Sequence, residues 1–545
     1  MADPLYEKST LDNGVRVVTG PMKGVKSASL ILYYGVGSRF EDPTYQGVSH
    51  FLEHMLFKGT ERRPDPLIIS QAIESVGGIL NAATGRESTN YWAKVPSTHF
   101  PLAFDVISDI VRNSVIDETE LNKERSVIVE EIRSILDAPE DLVHDVIDET
   151  IWGTQSVGRP VAGTEDTVGA IDQGTMASYW KRNYRPERLV VAAGGDVTHE
   201  EVVKLAEQHL GGLAPEGEAN VPEPSNFAQE DVRINLVERD TEQAHLCIGM
   251  PALPYSTERR YVQGTIEAIL SSGMSSRLFQ EIREKRGLVY SVYGYFRPYE
   301  DVGQGVVYAG TDLERVEEAI SAIIGELRKL RDEGVPEDEL ERTKDLRKGR
   351  LLMGFEDSRS IASWIGSQEL TYGEIRTPEE VMEKIDAVTA GDVKELADEL
   401  FQTNKLSLAL IGPYSDEQAR PEICLSDRRY LFLYPMVKQR RWYGLPDEER
   451  KRIMKSHIEV GRRYPEISIN TSYSFGLDDQ EFVVAFEGDD PGEFLDLVQE
   501  LRPTESSAYT ERETPIFTCV AMSARKALDA LDGTAVVAVD APALG

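Results

Sequence analysis

Three cysteines in 545 residues, Cys247, Cys424 and Cys519, are too few and too scattered for a disulfide framework. No Cys-x-x-Cys pair occurs, so no thiolate zinc site is suggested either, and the three read as small buried side chains in a reducing compartment. Long apolar runs are missing: nowhere do 18 apolar residues follow one another, and Met1 to Lys8 holds no basic segment leading into an apolar one. Basic residues are scarce, 59 Lys and Arg against 94 Asp and Glu, and a net charge of -35 leaves no phosphate-binding surface. A cytoplasmic protein without a nucleic-acid or membrane partner is the expectation. The acidic excess is spread along the chain and reads as solubility.

Histidine is also rare, with eight in the chain, yet two of them fall in the stretch Gly47-Val-Ser-His-Phe-Leu-Glu-His-Met-Leu-Phe-Lys-Gly59. If this stretch is helical, His50 and His54 stand at i and i+4 on one face and their imidazoles can converge on one ion. Glu53 stands three positions after His50, near enough to act as general base on a metal-bound water. The plainer reading is a solvated polar face, and the motif alone does not decide between them.

The length allows about three or four domains of about 150 residues each. In chain order the patterning predicts a hairpin around Asn13-Gly14, a strand over 26–35, the motif helix, a helix over 66–76 and two strands within 79–95. Helices are expected near 99–113, 118–137, 139–151 and 173–183, then a strand at 189–193. Residues 214–231, rich in Pro, Gly and Glu, read as an exposed linker. Beyond it come a strand at 245–250, a helix at 260–271, a strand at 306–311 and helices at 313–333 and 336–354. This order echoes the first half, so a repeat of about 200 residues is expected, with the metal motif absent from the second copy.

The helix over 118–137 contains Glu124 and Glu131, seven positions apart and so within about 20 degrees of the same face. A zinc site needs a third protein ligand and keeps one position open for water, but a charged outer face explains the two glutamates equally. At this point the chain resembles the pitrilysin/insulinase zinc peptidases, in the branch that includes mitochondrial processing peptidase. The match is His50-Phe-Leu-Glu-His54 followed 77 positions later by Glu131 inside the run that starts at Glu124. The resemblance implies His50, His54 and Glu131 as zinc ligands, Glu53 as base and Glu124 as an acid orienting the site. Asn81 and Ala82 resemble the edge-strand segment that pairs with an extended peptide substrate.

In the second copy, Ser275 to Tyr290 resembles a further signature of that family. It implies Arg283 and Tyr290 as groups opposite the zinc that polarise the scissile carbonyl and hold the oxyanion. Taken singly, each also reads as an ordinary surface residue. Related enzymes enclose a chamber with four such domains, so two domains imply pairing, as a homodimer or as a heterodimer with a related subunit.

Residues 425–536 are surplus to that pattern. They read strand, helix, strand, strand, helix, strand, a βαββαβ ferredoxin-like order, and 537–545 is a tail. Tyr434 to Lys438, His457 to Tyr464 and Phe475 to Asp479 resemble the C-terminal half of the chlorite dismutase/coproheme decarboxylase family. This implies haem or coproheme on His457, with Tyr434 a redox tyrosine and Lys438 a nearby donor. The plainer reading makes His457 a core histidine beside Ile453 and Val460, and the half domain departs from a family whose subunit has two.

The expected fold is therefore α+β: two homologous α/β peptidase domains, 1–213 and 232–415, then a ferredoxin-like domain. The expected function is zinc-dependent endopeptidase action on extended or unfolded peptides. The alternatives are a catalytically silent structural subunit, or a haem-binding or haem-processing protein working through 425–536.

Overall fold

The fold is that of a computed structural model in which residues 5–227, 229–414, 430–461, 463–464, 466–473, 482–512 and 516–520 are described. The chain divides into two units, 1–415 and 416–545.

The first unit opens with the expected hairpin. β1 (Glu7–Thr10) pairs antiparallel with β2 (Arg16–Pro21), and Gly14 takes the positive φ of 93° that a Cβ would penalise. β3 (Ser27–Tyr34), α1 (Val48–Leu56), α2 (Pro66–Glu74) and the hairpin of β4 (Ile79–Thr84) with β5 (Thr89–Pro96) follow. Helices α3 (Phe100–Asn113), α4 (Glu118–Asp137), α5 (Pro139–Trp152), α6 (Glu165–Ala170) and α7 (Gln173–Asn183) lead back to β6 (Leu189–Gly195). Helix α8 (His199–Leu210) closes this half. The strands lie in the order β1-β2-β6-β3-β5-β4, with β2 and β6 parallel and the other neighbours antiparallel.

The second half repeats this plan. β7 (Arg233–Glu238), β8 (Gln243–Ala252), α9 (Arg260–Ser271), a π-helical turn over Phe279–Lys285, β9 (Val289–Pro298) and β10 (Gly303–Asp312) come first. Helices α10 (Val316–Glu333), α11 (Glu337–Gly354), α12 (Ser358–Tyr372), α13 (Pro378–Asp386) and α14 (Ala390–Leu400) then lead to β11 (Ser407–Gly412). The order β7-β11-β8-β10-β9 reproduces β2-β6-β3-β5-β4 strand for strand, including the one parallel pair, β7 with β11. The repeat expected from element order is therefore present in the sheet topology.

The two halves, each with its own sheet and main core, are also packed against each other. Helix α5 of the first half buries Val143, Ile147 and Ile151 against Cys247, Val306, Tyr308 and Ile411 of the second sheet. Helix α12 of the second half buries Ala362 and Ile365 against Val18, Ile31, Val190 and Ala192 of the first. Each sheet thus has its own half's helices on one face and a helix lent by the other half on the opposite face, so neither half alone covers its apolar sheet. Among the described residues of 214–231 there is no helix or strand, and the segment is pinned to the fold at a few points. Asn220 donates to the Phe40 carbonyl at 2.8 Å, the Ser225 N–H to Asp301 at 2.6 Å and Gln229 to the Leu406 carbonyl at 2.8 Å. Most of the stretch is exposed, as its composition indicates, and Ser225 and Gln229 are its buried anchors.

The second unit contains β12 (Tyr430–Lys438), α15 (Arg440–Tyr443), α16 (Asp447–Gly461), β13 (Ser468–Tyr473), β14 (Phe482–Gly488), α17 (Pro491–Leu501), β15 (Thr510–Arg512) and β16 (Phe517–Val520). β12 lies antiparallel between β14 and β16, and β13 pairs with β14. This is the expected βαββαβ arrangement with α15 and β15 added. Its core is aromatic: the Phe432 and Phe494 rings stack at 3.9 Å above Leu497 and Phe486. The expected tail, 537–545, lies outside the described residues. Among the described residues no helix is long and apolar enough to cross a membrane.

Candidate metal centre

Helix α1 owes its orientation to residue spacing. Val48, Phe51, Leu52, Met55 and Leu56 recur at the period of an α-helix and are buried in the first core, which turns His50, Glu53 and His54 to the other face. Its N-terminus is held by a buried carboxylate: Glu41 accepts from the Gly47 N–H at 2.8 Å and the Ser49 N–H at 2.7 Å. Gly47, at φ 89°, has no room for a side chain, because a Cβ would stand 2.4 Å from the Ala162 carbonyl oxygen.

Across from this face runs α4, capped by Asp117, which accepts from the N–H groups of Thr119 and Glu120. It buries Leu121, Ile128 and Ile132 and presents Glu124 and Glu131 to α1. His50 Nε2 and His54 Nε2 stand 3.1 Å apart, and Glu131 Oε2 is 3.8 Å from the first and 3.9 Å from the second. Among the described residues these three form the one group of metal-type ligand atoms lying within 4.8 Å of one another.

Two imidazole nitrogens and a carboxylate oxygen are a zinc donor set. The fit extends beyond identity. Two nitrogens at about 2.0–2.1 Å from a tetrahedral zinc stand about 3.3 Å apart, close to the separation seen here. Glu124 accepts from His54 Nδ1 at 2.9 Å, which fixes that ring with its Nε2 lone pair toward the cluster. Lys58 Nζ holds the other Glu124 oxygen at 2.5 Å.

The carboxylates around the cluster suit a cation. Burial, aided by neighbouring His54, lowers the His50 pKa to about 4, so this ring is neutral and its lone pair available. Burial also works against a charged His54, but the Glu124 hydrogen bond and the negative charges of Glu131, Glu124 and Glu53 outweigh it and raise its pKa. Burial would raise Glu124, yet its bonds to His54 and Lys58 lower it and keep it ionised. Glu53 is raised by burial, with a hydrogen bond from Thr84 Oγ1 to its Oε2 pulling the other way.

Asn81 and Ala82 lie on β4, the edge strand of the first sheet, with Asn81 exposed. Arg283 and Tyr290 are elsewhere. Arg283 sits on the π-helical turn, its guanidinium 4.8 Å from the Phe279 ring and 5.6 Å from that of Tyr290, which is 77% exposed on β9. Among the described residues neither makes a hydrogen bond, ion pair or ring contact with His50, Glu53, His54 or Glu131. The structure brings Arg283 beside Tyr290.

Sequence reasoning passed over Glu41, Lys58 and Thr84. Lys58 stood one helical turn beyond His54, and Thr84 two residues beyond Ala82, but only tertiary contact gives either a role. In the second unit, His457 Nδ1 is 2.8 Å from Thr504 Oγ1, and burial, with the charge of Lys438 second, lowers its pKa to about 4. Lys438 is turned into the fold, donating to the Ser506 carbonyl at 2.8 Å and to the hydroxyls of Ser506 and Thr510 at 3.1 Å. The Tyr434 side chain lies outside the described residues.

Comparison with known proteins accounts for both units. The family model described as insulinase (peptidase family M16) matches residues 16–165, and that of the peptidase M16 inactive domain matches 170–346. A chlorite dismutase model matches 379–522, although α13, α14 and β11 at the start of that range belong to the first unit, where Val393, Leu396, Leu400 and Leu410 join the second core. An uncharacterized zinc protease of Streptomyces coelicolor is 40% identical over 417 residues, 76% of this chain and 90% of its own. One from Bacillus subtilis is 37% identical over 409 residues, 75% of this chain and 98% of its own. In fold, a protease from Helicobacter pylori superposes with a TM-score of 0.72 at 21% identity, covering 75% of this chain and all of that one. From these matches, the repeated sheet topology and the His-x-x-Glu-His helix, the chain belongs to the insulinase peptidase family, M16, and carries a chlorite dismutase-like domain at its C-terminal end.

Proposed function

We propose that this chain is a zinc-dependent endopeptidase acting on extended or unfolded peptides. The observation that carries the reading is the convergence of His50 Nε2, His54 Nε2 and Glu131 Oε2 within 4.8 Å, with Glu53 on the same helix face. A zinc ion held there supplies Lewis acidity, polarising a carbonyl oxygen and raising the acidity of water. His50, His54 and Glu131 hold the ion, while Glu124, itself held by Lys58, keeps His54 in the ligating tautomer. Glu53 is the general base: Thr84 occupies its Oε2, and Oε1 takes the proton from the attacking water and returns it to the leaving amine.

The outer backbone of β4 lies at the sheet's edge, so an extended peptide can add there as a further strand beside Asn81 and Ala82. Arg283 and Tyr290 stabilise the oxyanion, and in a chain with two such domains they serve the site of a partner copy. A silent structural subunit is the weaker reading, because it has no use for an intact ligand set, base and orienting acid. A haem reading for the second unit draws support from His457 alone: with Nδ1 on Thr504, its neutral ring leaves Nε2 as the coordinating nitrogen.

One experiment separates these readings. The purified protein and Glu53→Gln are assayed for bound zinc and haem and incubated with a mixed peptide library. Both are expected to hold one zinc, with cleavage lost roughly 100-fold or more in Glu53→Gln. Equal cleavage by both proteins sinks the peptidase reading, and a missing Soret band after haem titration sinks the haem one.

A further inference from the structure

We propose that Thr84 is the positioning residue for Glu53 and that the second half of the chain holds Thr84 in place through Arg86. The proposal rests on the peptidase reading above.

A helix fixes the Cα of Glu53 but leaves its carboxylate at the end of three rotatable bonds. The group that fixes it comes from outside the helix: Thr84 Oγ1 donates to Glu53 Oε2. Thr84 suits the task. It is β-branched and so stiff at χ1, and it is the last residue of β4, paired in register with Thr89 of β5.

The turn that follows is clamped on its backbone. The Ser38 N–H donates to the Gly85 carbonyl at 3.1 Å and the Arg39 N–H to the Arg86 carbonyl at 2.9 Å. The approach is so close that a Cβ on Gly37 would stand 2.2 Å from the Gly85 oxygen. Two arginines then tie this turn to the second half. Arg86 donates to Asp148 Oδ2 at 2.5 Å and to the Tyr299 hydroxyl at 3.0 Å, and Asp148 also receives Arg297 at 3.1 Å. Arg39 binds Glu87 beside it and grips both oxygens of Asp301, at 3.0 and 2.9 Å.

Arg297, Tyr299 and Asp301 belong to the β9–β10 hairpin, which the strand order makes the counterpart of β4–β5. The two equivalent hairpins therefore meet directly, Arg86 donating to Tyr299 and the Glu300 N–H to Glu87, with Asp148 and Arg39 bridging them, and one of them ends on the base. Asp148 adds a further link, since α5 directly follows α4, which carries Glu131. The half without a metal motif thus acts on the chemistry by holding the strand that aims Glu53.

The test compares wild type with Thr84→Val, Thr84→Ser, Arg86→Gln and the Thr84→Val/Arg86→Gln double variant. The readouts are zinc stoichiometry, Tm, kcat and KM on one cleaved peptide, and crystal structures of the Thr84 variants. Thr84→Val should keep its zinc, its Tm and its KM while kcat falls roughly 10- to 100-fold with a displaced Glu53 carboxylate, and Thr84→Ser should restore kcat to within about threefold. Arg86→Gln should lower kcat as well, and the double variant should be no slower than Thr84→Val, because both act through one contact. Wild-type kcat in Thr84→Val, loss of its zinc, or equal defects in Val and Ser would overturn the role of Thr84. Independent, multiplying defects in the double variant would overturn the role of Arg86. A wild type that holds zinc and cleaves no peptide removes the peptidase reading first, and this proposal with it.

Discussion

Glu41 holds the start of the metal helix by two opposed effects. Its carboxylate takes the Gly47 and Ser49 N–H groups at the positive end of α1, which favours the ionised form. Burial is the larger effect and, against the bonds to Ser49 and Gly47 and the charge of Arg159, pushes its pKa up from 4.5 to about 7. The folded state therefore binds this proton more tightly than the unfolded chain does. The associated stability is complete below about pH 4.5 and is lost as pH rises through 7, an effect of roughly 3 kcal/mol. Glu41→Gln cannot ionise, so it should lack this decline. Urea denaturation of both proteins at pH 4.5, 6 and 8 checks it: the wild type should lose stability relative to Glu41→Gln as pH rises. A constant difference between them would mean that Glu41 does not titrate in the fold over this range.

At the scale of elements, the lent helices set tolerances that no local pattern announces. Gly194 of β6 lies under the start of α12, where a Cβ would stand 2.4 Å from the Ser358 carbonyl oxygen and 2.9 Å from the Ala362 nitrogen. Backbone does not yield as a flexible side chain does, so Gly194→Ala should cost about 1–3 kcal/mol and lower Tm. Gly325 lies within α10 with nothing inside 4 Å of its Cβ position, so Gly325→Ala should raise stability by up to about 1 kcal/mol. A Gly194→Ala protein as stable as Gly325→Ala would show that α12 is not seated closely on the first sheet. The contrast also marks what a sequence carries. Helix α1 was legible because its period sorts Phe51, Leu52 and Met55 from His50, Glu53 and His54 within nine residues. The Glu131 ligand was legible through a spacing characteristic of a family. Thr84, Arg86 and the exchange of α5 with α12 were not, since each acquires its role from a partner 30 or more positions away that leaves no periodic trace. The anchors of 214–231 were illegible for a related reason: Asn220, Ser225 and Gln229 meet Phe40, Asp301 and Leu406, each far off in the sequence.

For the molecule as a whole, two copies of one sheet topology carry unequal side chains: the first holds the proposed ligands and base, the second Arg283 and Tyr290. Tyr290 is 77% exposed and lies beside Arg283, so its phenol is accessible to a second chain. Completion between chains makes a quantitative prediction. Glu53→Gln lacks the base and Tyr290→Phe lacks the phenol, so each alone should be nearly inactive. When the two are mixed and allowed to exchange partners in a symmetric pair, half of the dimers become mixed. In each of those, the site on the Tyr290→Phe chain has its own Glu53 and receives an intact Tyr290 from the Glu53→Gln chain. Peptide cleavage should therefore recover to about a quarter of the wild-type rate per chain. A site completed within one chain recovers nothing on mixing. Subunit exchange is followed independently by native mass spectrometry of differently tagged chains, so a flat rate in a mixture that has demonstrably exchanged rules out completion between chains.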